Sequence, residues 1–234
     1  MTSIDRLWLS HTAGVTLWVD LEAPSIPESL LLSDTFGFHG LAVEDAMSQP
    51  QPPKIEPYDG FFFAVIHAPD AEVDFFVGPG SLVTVHAAPA AAIAELADNA
   101  RHSAKPLVEG PVALFHAIVD RMVDAFGPAV TRLAERLRVG EKQLFDRPSA
   151  PVLHDLLDLR REVFALRHVV ASEREIASRL MRREFVDIST EMAFRFRDLC
   201  DHLVRLHDDS DALADRVGGL LTAGAGLAAA RRWI

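Results

Sequence analysis

Two periods divide the chain. As far as about residue 105, apolar positions come in short runs or alternate with polar ones; beyond Gly110-Pro111 they recur every three or four residues. In the first part, Thr16 to Leu21 alternates like a strand until Pro24, Ser25 and Pro27 break it. Ser25 or Pro27 can open a helix running through Leu30 to Phe36, and His39 to Met47 has the composition of a second short helix. Gln49 to Pro53 is a proline-rich connector. Gly60 to Ala68 is aromatic and β-branched and reads as a strand. Val73 to Val77 and Ser81 to His86, joined by Gly78-Pro79-Gly80, form the clearest hairpin signal. Ala90 to Ala100 is alanine-rich and helical in character.

In the second part, Leu114, Ile118, Met122, Phe126, Val130, Leu133, Leu137 and Leu144 mark one helical stretch, Val112 to Leu144, with a kink expected at Gly127-Pro128. Arg147-Pro148-Ser149 ends it. A second helix runs from Val152 to about Arg183, and the short turn between the two predicts an antiparallel hairpin. A third begins near Ser189 and continues past Asp215. Within it, Leu199, Leu203 and Leu206 keep helical spacing while Asp198, Asp201, His202, Arg205, Asp208 and Asp209 fill the other faces. Asp198 and His202 are one turn apart and share a face. A carboxylate and an imidazole so placed can bind a divalent cation, and they are equally an ordinary charged helix face. The expected class is mixed α/β (α+β), with a sheet-containing part over 1–110, a long helical hairpin over 111–188 and a final stalk helix over 189–234. Gly218, Gly219, Gly224 and Gly226 in that last helix are costly in isolation and suit a place where helices approach closely.

The net charge of -11 argues against a nucleic-acid partner and suits a protein that attracts cations. Cys200 is the single cysteine, so no intrachain disulfide forms, and its acidic neighbours disfavour a nucleophilic role. Met1 to Asp20 carries no signal-peptide pattern, and no run approaches the roughly 18 apolar residues of a membrane span. Phosphate-cradling glycine motifs, Gly-x-Ser-x-Gly and His-Glu-x-x-His are all missing. An enzyme is not expected.

Several ordered stretches together resemble one family. They are Trp18-Val19-Asp20-Leu21-Glu22-x-Pro24, Phe36-Gly37-Phe38-His39-Gly40-Leu41-Ala42-Val43-Glu44-Asp45-Ala46, Pro53-Lys54-Ile55-Glu56-Pro57-Tyr58 and Leu82-Val83-Thr84-Val85-His86. Ile118-Val119-Asp120, Leu159-Arg160-Arg161-Glu162 and Phe196-Arg197-Asp198-x-x-Asp201-His202 follow. In this order they resemble the cytoplasmic part of the CorA family of magnesium and other divalent-cation transporters, over roughly residues 15 to 217.

The resemblance implies a mixed sheet between helical layers, a stalk helix leading toward a membrane segment that this chain does not contain, and a homopentamer in the full-length protein. The excised part alone is expected as monomer or dimer, soluble, at the cytoplasmic face of the cell membrane. A stand-alone metal-responsive or scaffolding paralogue without a pore is the alternative. The family's regulatory metal site lies between subunits and maps here onto Asp45 and Asp198, with Glu44, Asp120 and His202 as further or water-mediated ligands. Mg²⁺ is the expected ion. Zn²⁺ or Co²⁺ is the alternative, because Gly226 to Trp233 replaces the family's polar pattern late in the stalk. Arg231-Arg232-Trp233 resembles the cytoplasmic flank of a membrane helix.

Overall fold

The computed structural model describes residues 16–48, 50–102, 108–147, 149–185 and 187–231. Five strands form one mixed sheet in the order β1-β5-β4-β3-β2. They are β1 (Leu17–Glu22), β2 (Lys54–Tyr58), β3 (Phe61–His67), β4 (Glu72–Val77) and β5 (Ser81–His86). β1 runs parallel to β5, and every other pairing is antiparallel. The expected β4–β5 hairpin closes with Val77 opposite Leu82. β2 was not among the expected strands. Lys54, Glu56 and Pro57 interrupt the apolar pattern that marks a strand, but a terminal strand tolerates both the charges and a missing N–H. β2 turns into β3 through Asp59-Gly60, with Gly60 at φ +80°, a left-handed conformation that glycine adopts without a Cβ penalty.

Strand alternation gives the sheet two apolar faces. Phe63, Val65, Phe76, Val83 and Val85 point to one side and pack with Leu32 of α1 (Ile26–Asp34), Phe38, and Ala42 and Ala46 of α2 (Gly40–Met47). Helix α1 begins as predicted at Ser25, whose N–H donates to Glu28 Oε2 at 2.9 Å. Phe62, Ala64, Ile66, Val73, Phe75 and Leu82 point to the other side. There they meet α3 (Ala91–His102), α4 (Pro111–Asp124), the end of α6 (Ala150–Met181) and the start of α7 (Thr190–Arg231). The mixed sheet between helical layers is therefore present.

The predicted kink becomes a break at Ala125 between α4 and α5 (Phe126–Asp146). Pro128 has no N–H to return to the Asp124 carbonyl, so the ladder cannot run through. Beyond the sheet, α5, α6 and α7 form a helical arm on Leu133, Leu137, Leu144, Leu156, Leu159, Val163, Leu213, Val217 and Leu220. Met192, Phe196, Leu199, Leu203, Leu206, Ser210, Leu213, Val217 and Leu220 make a buried stripe on α7 with strict alternation of four and three. That is the heptad seam of a coiled coil. The 42 residues of α7 span about 63 Å. Among the described residues no helix is long and apolar enough to cross a membrane. Arg232, Trp233 and Ile234 of the expected membrane flank, and the first fifteen residues of the expected leaderless N-terminus, lie outside the described residues.

Candidate functional site

Helix α2 aims Asp45. Its N-cap His39 accepts the Leu41 N–H on Nδ1 at 3.2 Å, and Ala42 and Ala46 sink onto the sheet. Asp45, one position before Ala46, is thereby turned toward the edge of the sheet, where β2 presents Lys54, Glu56 and Tyr58 on alternate positions of one face. Lys54 Nζ donates to Asp45 Oδ2 at 2.5 Å and lies 3.4 Å from Glu56 Oε1. The Tyr58 hydroxyl donates to Glu56 Oε2 at 3.1 Å. Lys54 lies over the Phe63 ring, 5.6 Å from its centroid. Burial lowers the Lys54 pKa, but the hydrogen bond to Asp45 and the charges of Glu56 and Asp45 outweigh it and hold the ammonium above its ordinary value. Glu44, one position before Asp45, is exposed.

The other predicted acids lie on the opposite layer. Asp120 is half-buried on α4 and Asp198 is exposed on α7. Between these helices sits His116, one turn before Asp120, with its ring edge-on to Phe196 at 5.1 Å. Burial holds His116 below the usual imidazole value, against the upward pull of the Arg195 carbonyl and of the Asp120 and Asp198 charges. His202 pairs with Asp124, Nδ1 to Oδ1 at 3.5 Å. The face shared by Asp198 and His202 therefore does not close on itself, because α4 offers His202 a carboxylate across the seam. Cys200 behaves as its surroundings predict: burial, then the Asp201 charge, push its thiol up.

The structure thus brings Asp120, Asp198 and His202 to one seam, and places Asp45 and Glu44 across the sheet from them. Carboxylate oxygens suit a hard cation such as Mg²⁺, and the two imidazoles widen the choice to Zn²⁺ or Co²⁺. Among the described residues of one chain, however, no three His, Cys, Asp or Glu side chains are grouped to hold a metal. The described residues of one chain alone do not fit the ion. Lys54, Glu56, His116 and Asp124 were not singled out from the sequence. Lys54 and Glu56 were visible there as alternate residues of Pro53-Lys54-Ile55-Glu56-Pro57-Tyr58. Nothing in the chain order brings Asp124 to His202.

Residues 13–231 match the family model described as CorA-like Mg²⁺ transporter protein. The chain belongs to this CorA-like family. YfjQ of Bacillus subtilis (strain 168), which bears the name of a metal ion transporter, is 32% identical over 209 residues, covering 87% of this chain and 66% of that protein. The cobalt/magnesium transport protein CorA of Thermotoga maritima is 23% identical over 202 residues, covering 81% of this chain and 57% of its own length. The CorA-like chain described here thus spans less than two thirds of these relatives. The structure of the soluble domain of CorA from Methanocaldococcus jannaschii superposes with a TM-score of 0.77 at 19% identity, covering 88% of this chain and 86% of that one. This agreement establishes the CorA soluble-domain fold.

Proposed function

We propose that this chain is the cation-sensing, gating domain of a CorA-type divalent-cation transporter, set at the cytoplasmic face of a membrane and joined to it beyond α7. Mg²⁺ is the ion proposed, with Zn²⁺ or Co²⁺ as alternatives, and the working assembly is a homopentamer. The placement of Asp45 and Asp198 supports this most directly. They stand on opposite layers of one subunit, both open to solvent, so Asp45 of one subunit and Asp198 of its neighbour can meet only across an interface.

Asp201, Asp208 and Asp215 follow at intervals of seven along the exposed side of α7. Stalks brought side by side repel through these acids, as Asp45 and Asp198 do when they face one another. A divalent cation bound between subunits cancels that repulsion and ties them together. When its level falls, the ring loosens and α7 is released, a two-state element biased by differential binding.

The test is thermal unfolding in EDTA and then in Mg²⁺, Zn²⁺ and Co²⁺ in turn, with light-scattering mass alongside. A cation at 100 times its dissociation constant stabilises by about 2.7 kcal/mol. The Asp45→Ala, Asp198→Ala double variant is expected to fold, to melt in EDTA close to the parent, and to lose the metal shift. A full metal shift in that variant contradicts the proposal.

A further inference from the structure

Two carboxylates converge on one ammonium at the edge of the sheet. Lys54 Nζ reaches Asp45 Oδ2 at 2.5 Å and Glu56 Oε1 at 3.4 Å. The three side chains are 24%, 30% and 40% exposed in the order Lys54, Asp45, Glu56, so solvent and a neighbouring molecule reach all of them. β2 is the terminal strand of the sheet among the described residues. Tyr58 fixes the second oxygen of Glu56. Lys54 is delivered from a strand and its ammonium lies over the face of the Phe63 ring, so it is held in place.

We propose that Lys54 is a tethered cation that holds Asp45 and Glu56 in the metal-free protein, and that its ammonium must leave Asp45 before a divalent cation can bind there. This role presupposes the function proposed above for Asp45. The ammonium donates to Asp45 Oδ2, and a cation bound through the same oxygen competes for it and is repelled by the ammonium's like charge. Lys54 supplies one charge where a divalent cation supplies two, so the exchange favours the metal once its concentration is high enough. A part-exposed ion pair is weak, so Lys54 sets a threshold and does not close the site. It also keeps Asp45 and Glu56 from facing each other as bare like charges when metal is scarce.

An ordinary supporting lysine and a displaceable one predict opposite effects on removal. Lys54→Met keeps an unbranched side chain of similar length and deletes the charge. Its half-saturation with Co²⁺ or Mg²⁺ is expected about two- to fivefold lower than that of the parent chain. Lys54→Gln is expected to behave likewise, and Lys54→Arg to stay near the parent. Each is read by calorimetric titration with the metal alone and by the metal-induced shift in melting temperature, with circular dichroism checking the fold. Tighter binding in Lys54→Met or Lys54→Gln, including binding that the parent lacks altogether, supports the tethered cation. Unchanged or weaker binding in both, with binding abolished by Asp45→Asn, overturns it and leaves the metal role of Asp45 standing. Binding unaffected by Asp45→Asn overturns that metal role itself. No binding in any of these proteins overturns both.

Discussion

Glu173 is the residue least accounted for by its sequence position. It lies at a seam position of α6, between Val170 and Ala177, where the pattern calls for an apolar side chain. Its Oε1 accepts the His67 N–H of β3 at 2.8 Å, while Oε2 is buried without a hydrogen-bond partner. Burial pushes its pKa up to about 8, against the downward pull of the His67 bond. The folded form therefore holds a proton that the unfolded chain releases near its ordinary value of 4.5. The stability this contributes is fully present below pH 4.5 and is lost as pH rises toward about 8. Glu173→Gln keeps an acceptor for His67 and cannot ionise. Its melting temperature is expected to change less than the parent's between pH 5 and 8, and to exceed it at the alkaline end; parallel pH profiles for the two proteins contradict this. Nothing in the sequence singled out Glu173, because desolvation belongs to the packed seam and leaves no mark on chain order.

At the scale of elements, α7 is the part most legible in advance. Its start at Ser189 is confirmed by the Met192 N–H donating to Ser189 Oγ at 3.1 Å, and its leucine spacing becomes the buried seam. The glycines of its last third were legible as a group but not singly. A Cβ at Gly224 would come within 2.6 Å of Leu153 Cδ2 and 3.2 Å of Leu144 Cδ1, so this glycine lets α7 close on α5 and α6. Nothing lies within 4 Å of a Cβ at Gly219. Because leucine tips can move, Gly224→Ala is expected to be nearly neutral, whereas Gly224→Val costs about 1–3 kcal/mol through overpacking. Gly219→Ala instead gains roughly 0.8–1 kcal/mol of helix propensity. Chemical denaturation of the three variants checks the order, and equal effects at both sites contradict a specific contact at Gly224. β2 shows the opposite failure. Pro57 and its charged neighbours hid a strand that Asp59-Gly60, a strong hairpin signal, could have revealed.

For the whole molecule, layer order matters more than any local motif. The sheet separates α2 from α4 and α7, so the acids proposed to act together are kept apart within one chain. The sequence supplied those acids and their order. It could not supply their separation, which arises from strand alternation and from which helices cover which face. Asp45 is meanwhile held by Lys54, and His202 by Asp124. The central claim is that Asp45 and Asp198 act together between subunits. Mixing tests it most directly. Asp45→Asn and Asp198→Asn chains are each expected to lose the metal-induced rise in melting temperature and mass. Refolded together in equal amounts, they should regain part of both. Some interfaces then join the intact Asp45 of one chain to the intact Asp198 of the other. A mixture no more responsive than its separate components, beside a responsive parent protein, would contradict a shared intersubunit site.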